Sequence, residues 1–379
     1  MAQQSFEQLE TPALLLDEAR MERNIKRMRS RLRGLGVTFR PHVKTSKSID
    51  VARRLMETPQ GPITVSTLLE AEYFASHGVK DILYAVCIAP NKLDHVLALQ
   101  DRGVRLTLIL DCMETARLVA ERAHQAKRGF EVLIEIDSDG HRSGVKPDAP
   151  ELVEIGCYLE RAGVSMRGVL THAGASYESP SVHAIGEMAE RERAAAVHAA
   201  QRLRAAGIAS PVVSVGSTPT ALFAEHLEGV TEVRAGVFVF FDLVMAGLDV
   251  CRVDDIALSV LATVIGHQRE KGWTLLDAGW MAMSRDRGTS RQAVDQGYGV
   301  VCDLDGRPLD DFILVDANQE HGIMAHRSGQ PDRAAHLPVG TQVRILPNHA
   351  CSTAAQYGHY KVLGANREVT ATWPRFSGW

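Results

Sequence analysis

From residue 11 onward the chain alternates short apolar runs with amphipathic stretches. Thr11-Pro12-Ala13-Leu14-Leu15-Leu16-Asp17 reads as an apolar strand, and residues 18–34 read as a basic amphipathic helix ended by Gly34 and Gly36. Apolar runs follow at 37–41, 62–67, 81–86, 105–110, 130–137, 166–172, 211–216 and 232–240. Most lack polar alternation, as parallel strands buried on both faces do. Helical periodicity fills the intervals at 69–77, 92–100, 113–126, 150–162 and 182–206, and from near Ser48 to about Met56. Eight strand–helix steps within about 210 residues predict a (β/α)8 barrel. An open doubly wound sheet is the alternative, but no Gly-rich first turn supports it.

The pattern changes after about residue 252. Segments 256–267, 273–281, 312–318, 342–346 and 368–373 are strand-like, with turn residues and few long helical patterns between them. The expectation is a barrel over 18–252 and a β domain made of 1–17 and 253–379, with the N-terminal strand pairing into the second.

Composition narrows the partners. With 379 residues and 45% hydrophobic content the chain can bury a large core, and a net charge of −4 leaves no footprint for nucleic acid or a membrane surface. No run approaches the roughly 20 apolar residues of a membrane span. Met1-Ala2-Gln3-Gln4-Ser5 has no basic segment leading into an apolar one, so no secretory leader is expected. Cysteines 87, 112, 157, 251, 302 and 351 show no paired spacing, which suits free thiols in a reducing, cytoplasmic setting. All but Cys351 sit in or beside apolar segments and read as inert, and Met281 and Met283 read as packing.

Candidate chemistry gathers at predicted strand ends. Arg40-Pro41-His42-Val43-Lys44-Thr45-Ser46-Lys47 follows the first barrel strand and places Lys44 at its C-terminal mouth. Lysine forms Schiff bases when its pKa is lowered, and His42, Arg40 and Lys47 crowd it with polar or cationic neighbours. A solvated basic turn is the plain alternative. The fifth strand leads into Glu135-Ile136-Asp137-Ser138-Asp139-Gly140-His141-Arg142-Ser143-Gly144, and the sixth into Thr171-His172-Ala173-Gly174-Ala175-Ser176-Tyr177. Gly216-Ser217-Thr218-Pro219-Thr220 and Arg234-Ala235-Gly236-Val237 follow the seventh and eighth, where barrels commonly bind phosphate. A reactive lysine facing a phosphate cradle suggests pyridoxal phosphate. In the β domain, Pro347-Asn348-His349-Ala350-Cys351 read as extended chain puts His349 and Cys351 on one side. Imidazole with thiolate favours zinc, with water or substrate completing the shell. Two unrelated residues are the plain alternative. His321 in Asn318-Gln319-Glu320-His321-Gly322 is a candidate support for that site, or a simple turn.

Taken together, Arg-Pro-His-Val-Lys-Thr-Ser-Lys at 40–47, Gly-His-Arg-Ser-Gly at 140–144 and Pro-Asn-His-Ala-Cys at 347–351 resemble the D-serine dehydratase and D-threonine aldolase family. These are fold-type III pyridoxal-phosphate enzymes with an alanine-racemase-like barrel and a β domain. The runs at 277–288 and 318–322 are similar to those of the family's 3-hydroxyaspartate dehydratase branch. The resemblance spans essentially the whole chain. It implies that Lys44 is the Schiff-base lysine and His42 a cofactor neighbour, that Arg142 contacts the ring oxygen, and that Tyr177 lies near the pyridine nitrogen. Gly216, Ser217, Thr218, Gly236 and Val237 would hold the phosphate, largely through main-chain donors, and His349 and Cys351 a metal. The aldolase branch carries His-x-Asp there, which suits manganese or magnesium, whereas His349-Ala350-Cys351 shifts preference to zinc, with cobalt, manganese or magnesium as substitutes.

The implied function is β-elimination of water from a small-molecule D-3-hydroxy amino acid. D-threo-3-hydroxyaspartate would give oxaloacetate and ammonia, and D-serine would give pyruvate. Retro-aldol cleavage on the same substrates is the nearest rival, and a non-catalytic barrel that carries pyridoxal phosphate for cofactor homeostasis is the rival of another class. A homodimer is expected by analogy with related folds.

Overall fold

A computed structural model describes residues 4–364 and 367–379. The Met1-Ala2-Gln3 part of the run read for a leader lies outside them, as do Ala365 and Asn366 of the expected β domain. By its contacts the chain divides into two compact units, Arg27–Gly236 with Gly378–Trp379, and Met1–Lys26 with Val237–Ser377.

The first unit is the barrel. Strands Thr38–Pro41, Ile63–Val65, Asp81–Cys87, Arg105–Leu110, Glu131–Ile136, Ser165–Thr171, Val212–Val215 and Glu232–Ala235 form one parallel sheet. The last strand returns beside the first, pairing Val233 with Phe39, and a bridge from His42 to Thr64 nearly closes the circle. Leu83, Ile109, Leu133 and Leu170, from four successive strands, pack as one buried cluster. That is why these runs carry no polar alternation: one face fills the barrel while the other meets a helix. Helices Ile49–Leu55, Leu68–Ser76, Leu93–Asp101, Met113–Ala126, Pro150–Arg161 and Val182–Ala205 follow the predicted pattern. The eighth strand is shorter than expected. It stops at Ala235, and Val237–Val239 form a turn of 3-10 helix in the other unit.

The second unit is built on a ten-stranded, mostly antiparallel sheet. As expected, the N-terminal strand Ala13–Asp17 belongs to it, antiparallel to Leu258–Gln268 and parallel to His359–Leu363. Phe6, Ala13, Leu15, Leu261 and Leu363 pack there as a buried cluster. Strands Gly299–Cys302, Gly322–His326 and His359–Leu363 were not evident in the pattern, being only four or five residues long. The expected 273–281 strand ends at Leu276, and Trp280–Met283 form a short helix. The cause is a close turn: Gly279 and Trp280 donate to the carbonyls of Glu320 and Asn318 at 3.1 and 2.9 Å. Met283 is buried as expected, but Met281 is 44% exposed. His321 is exposed and its carbonyl closes a turn onto Asn318 at 2.8 Å, so the turn reading holds. Among the described residues no helix is long and apolar enough to cross a membrane.

Candidate functional site

Lys44 stands where the first barrel strand gives way to a turn. His42 donates its N–H to Ala235 and Val43 donates to Thr64, so both neighbouring strands carry the chain outward before it turns at Lys47. Lys44 is exposed, whereas Thr45 and Ser46 beneath it are buried. Its cationic surroundings differ from the expectation. Arg40 bonds Asp81 and Glu232 at 2.8 Å each, and both carboxylates open their strands, so this charge serves the barrel's N-terminal end. Lys47 is paired with the fully buried Glu70 at 3.0 Å. The groups that share the field of Lys44 are His42, His172 and Arg234.

Both histidines are held neutral. Burial pushes His42 well below its ordinary value, and the Lys44 and Arg234 charges act in the same direction. Burial likewise brings His172 down to about 3, although its Nδ1 lies 3.0 Å from the Gly216 carbonyl. Tyr177 packs its ring against His172 with centroids 6.2 Å apart. Arg142 bonds Glu135 at 3.3 Å and remains largely exposed.

The loops after the seventh and eighth strands come close to the rest. Gly216 has φ +134°, and a Cβ there would lie 2.1 Å from the Arg234 carbonyl. A Cβ at Gly236 would lie 2.8 Å from the His42 carbonyl. Only glycine permits either approach. Ser217 caps the Thr218–Phe223 helix in a reciprocal pair with Thr220, and its hydroxyl lies 2.9 Å from that of Ser176. The main-chain N–H groups of Gly216 and Ser217 are already engaged, by Glu192 at 3.0 Å and by the Thr220 hydroxyl at 3.1 Å. His42, Lys44, Arg142, Tyr177, Gly216, Ser217, Thr218 and Gly236 thus share the barrel unit, while Val237, His349 and Cys351 belong to the other. An exposed amine, hydroxyls, glycine-lined approaches and a buried His42 Nδ1 with no hydrogen-bond partner fit a pyridoxal phosphate.

In the β unit, His349 and Cys351 do not share one extended segment: His349 is extended, but the chain turns into a helix directly after it. Gln342–Pro347 is the strand, His349 is the N-cap residue of the helix Ala350–Ala354, and Cys351 sits in its first turn. The helix is anchored by the buried Asp242, which accepts the Ala350 and Met245 N–H groups at 2.9 and 3.0 Å. The two side chains still meet, hydrogen-bonded to each other. His349 Nδ1 also bonds Asp286 Oδ2 at 2.6 Å. Burial pushes the imidazole down, but Cys351 and Asp286 outweigh it and carry His349 well above the usual histidine range. The same hydrogen bond holds the Asp286 carboxyl below its usual range. Imidazole and thiol side by side, with the other imidazole nitrogen held by a carboxylate, fit a metal of zinc's type.

Sequence reasoning missed three supporting groups, Glu192, Asp242 and Asp286, and named Arg234 only as part of the loop after the eighth strand. Glu192 had a legible signal, because it falls on the buried stripe of Val182–Ala205 among Ile185, Met188, Ala189, Ala196 and Ala199. Asp286 had none, being 63 residues from its partner. Cys87 is also differently placed from the expectation. It lies with Asp111 and Glu135 in a group whose ligand atoms are within 4.8 Å of one another. Burial first, then these carboxylates, keep its thiol protonated, and it donates to Glu135 at 3.2 Å. Glu135 also takes Ser143 and Arg142, so hydrogen bonds account for the group.

Comparison with known proteins agrees with this arrangement. The alanine racemase N-terminal domain family matches residues 16–244, and the serine dehydratase domain family matches residues 257–363. The chain is 56% identical to D-threo-3-hydroxyaspartate dehydratase of Delftia sp. (strain HT23), over 98% of each. It is 30% identical to D-serine dehydratase of Dictyostelium discoideum, over 95% of each. A solved D-threo-3-hydroxyaspartate dehydratase variant in the metal-free form superposes with a TM-score of 0.97 at 56% identity, covering 100% of both chains. The barrel with its lysine, the antiparallel unit and these likenesses lead to one conclusion: the chain belongs to the alanine-racemase-like family of pyridoxal-phosphate enzymes that contains the D-serine and D-threo-3-hydroxyaspartate dehydratases.

Proposed function

We propose that this enzyme removes water from a D-3-hydroxy amino acid with the help of pyridoxal phosphate and zinc, taking D-threo-3-hydroxyaspartate to oxaloacetate and ammonia. The observation that carries the reading is the contact between His349 and Cys351 with His349 Nδ1 held by Asp286. A thiol at that place favours zinc over the harder ions that a carboxylate would suit. The likeness to D-threo-3-hydroxyaspartate dehydratase supports the choice of substrate.

When bound, pyridoxal phosphate supplies a sink for the electron pair left at the substrate's Cα. Lys44 would hold it through Nζ. His42, Arg142 and Tyr177 would face its ring, and Gly216, Ser217, Thr218, Gly236 and Val237 its phosphate. Lys44 Nζ would also be the base that takes the proton from the substrate's Cα. His42 and His172, kept neutral by burial, add no competing charge beside it. His349 Nε2 and Cys351 Sγ would hold the metal, whose Lewis acidity eases departure of the β-hydroxyl. The barrel, expected over 18–252 and compact by its contacts over Arg27–Gly236, would thus carry most of the cofactor's contacts, and the β domain, expected as 1–17 and 253–379 but by contacts also holding 18–26 and 237–252, the metal. A cytoplasmic location belongs to the same reading, because all six cysteines are free, and a homodimer follows by analogy with related folds.

Product analysis with D-threo-3-hydroxyaspartate tests the proposal. Ammonia and oxaloacetate are expected in equal amounts. Glycine and glyoxylate would instead place the chain among the aldolases, and turnover of D-serine alone would change the substrate.

A further inference from the structure

The loop Ser284–Arg285–Asp286–Arg287–Gly288 lies within the 277–288 run and carries two arginines around one aspartate. Arg287 is spent on Asp295 at 2.6 Å, and Arg285 stacks on Trp280 at 4.5 Å. Asp286 between them is the residue that faces the candidate metal donors. Both its oxygens are committed: Oδ2 accepts from His349 Nδ1 at 2.6 Å and from Ser352 Oγ at 3.1 Å, while Oδ1 accepts from the Gly288 N–H at 2.9 Å.

The loop is built to keep that carboxylate in place. Ser284 has φ +75°, a left-handed conformation uncommon outside glycine. Its hydroxyl accepts the Asp286 N–H at 3.2 Å. Asn348, immediately before His349, donates to the Gly297 carbonyl at 2.6 Å and accepts from Thr289 at 2.8 Å, and it reaches the Asp286 carbonyl at 3.4 Å. One fully buried amide therefore ties the aspartate loop to the segment that carries His349.

We infer that Asp286 is a positioning residue for the metal: it fixes the proton of His349 on Nδ1 and turns Nε2 toward the ion beside Cys351. A neutral imidazole has one donor and one acceptor nitrogen, so a carboxylate on Nδ1 decides which nitrogen can ligate. The carboxylate also raises the basicity of the ligating nitrogen and sets a second negative charge beside the thiolate. Ser352 holds the carboxylate from its other side, so the acceptor does not have to be recruited when metal arrives. The inference rests on the zinc reading proposed above and extends it to a residue that holds a ligand without being one.

Zinc titration of chelator-stripped holoenzyme, with a chromophoric chelator as competitor, separates the two ideas. Asp286→Asn keeps the side chain's size but removes the charge, and Kd for zinc should rise about 10- to 100-fold. Asp286→Glu should recover part of that loss. In both variants the visible absorbance of the bound cofactor, which reports on Lys44, should be unchanged. Cobalt substitution adds a spectroscopic check, because the thiolate-to-cobalt band should persist in Asp286→Asn with weaker retention of the ion. An unchanged zinc Kd in Asp286→Asn would overturn the inference while leaving the zinc reading intact. Failure of the unsubstituted protein to bind zinc would instead overturn the zinc reading, and this inference with it.

Discussion

Glu192 Oε1 accepts the backbone N–H groups of both Ala173 and Gly216, at 2.9 and 3.0 Å, so one buried carboxylate joins the loops after two neighbouring barrel strands. It holds Gly216 at the backbone angle that lets the loop approach Arg234. Glu192→Ala leaves two buried donors without an acceptor, at about 1–3 kcal/mol each. Urea unfolding should show a loss of about 3 kcal/mol, and cofactor reconstitution should weaken. A variant as stable as the parent would show that other acceptors replace the carboxylate.

Arg40 belongs to stability rather than chemistry. Its side chain is 14% exposed and sits between Asp81 and Glu232. Arg40→Met removes the cation between two carboxylates and leaves Asp81 with Arg105 and Glu232 with the Ser214 hydroxyl, so the cost should fall below the roughly 3–5 kcal/mol of a wholly stranded buried charge, at about 2 kcal/mol. The unfolding midpoint should drop accordingly while the cofactor's absorbance stays as it was. Loss of cofactor without loss of stability would return Arg40 to the site.

The two neutral histidines make the fold sensitive to acid. His172 titrates near 6.5 in the unfolded chain and about 3 in the folded one, because burial disfavours its charged form. Between those values the unfolded chain binds a proton that the folded chain refuses, so stability is full above about 6.5 and declines as pH falls toward 3. Urea midpoints measured at pH 7.5 and pH 5 should differ, and His172→Gln should shrink the difference. An identical difference in the variant would assign the effect to other groups.

The order of strands and helices was legible because a barrel strand has to be apolar throughout, and because each helix repeats its buried stripe every three to four residues. Met113–Ala126 and Glu18–Gly34 match their predicted spans for that reason. Side-chain direction was not legible. Arg40 and Lys44 are four residues apart around a proline, yet Arg40 reaches back to the strand starts while Lys44 is exposed in the turn beyond its strand. His349 and Cys351 do meet, but not as neighbours on one extended strand, since a capping residue and a first-turn residue can also share a side. Asp286 and Asp242 had no signal, because their partners lie 63 and 108 residues away and only folding brings them together.

Cys351 should decide between elimination and other outcomes. A metal Lewis acid contributes several kcal/mol, so Cys351→Ala should lower ammonia release at least about a hundredfold while the cofactor stays bound. Cys351→Asp should move metal preference toward manganese or magnesium. Full turnover by Cys351→Ala would remove the metal from the mechanism.

The most direct test is ammonia release from D-threo-3-hydroxyaspartate by purified holoenzyme before chelation, after chelation and after zinc is restored, with the cofactor's absorbance followed throughout. Metal-dependent elimination predicts that chelation stops ammonia release, leaves the absorbance in place, and that zinc restores the rate. Undiminished ammonia release from metal-free enzyme, or glycine in its place, would contradict it.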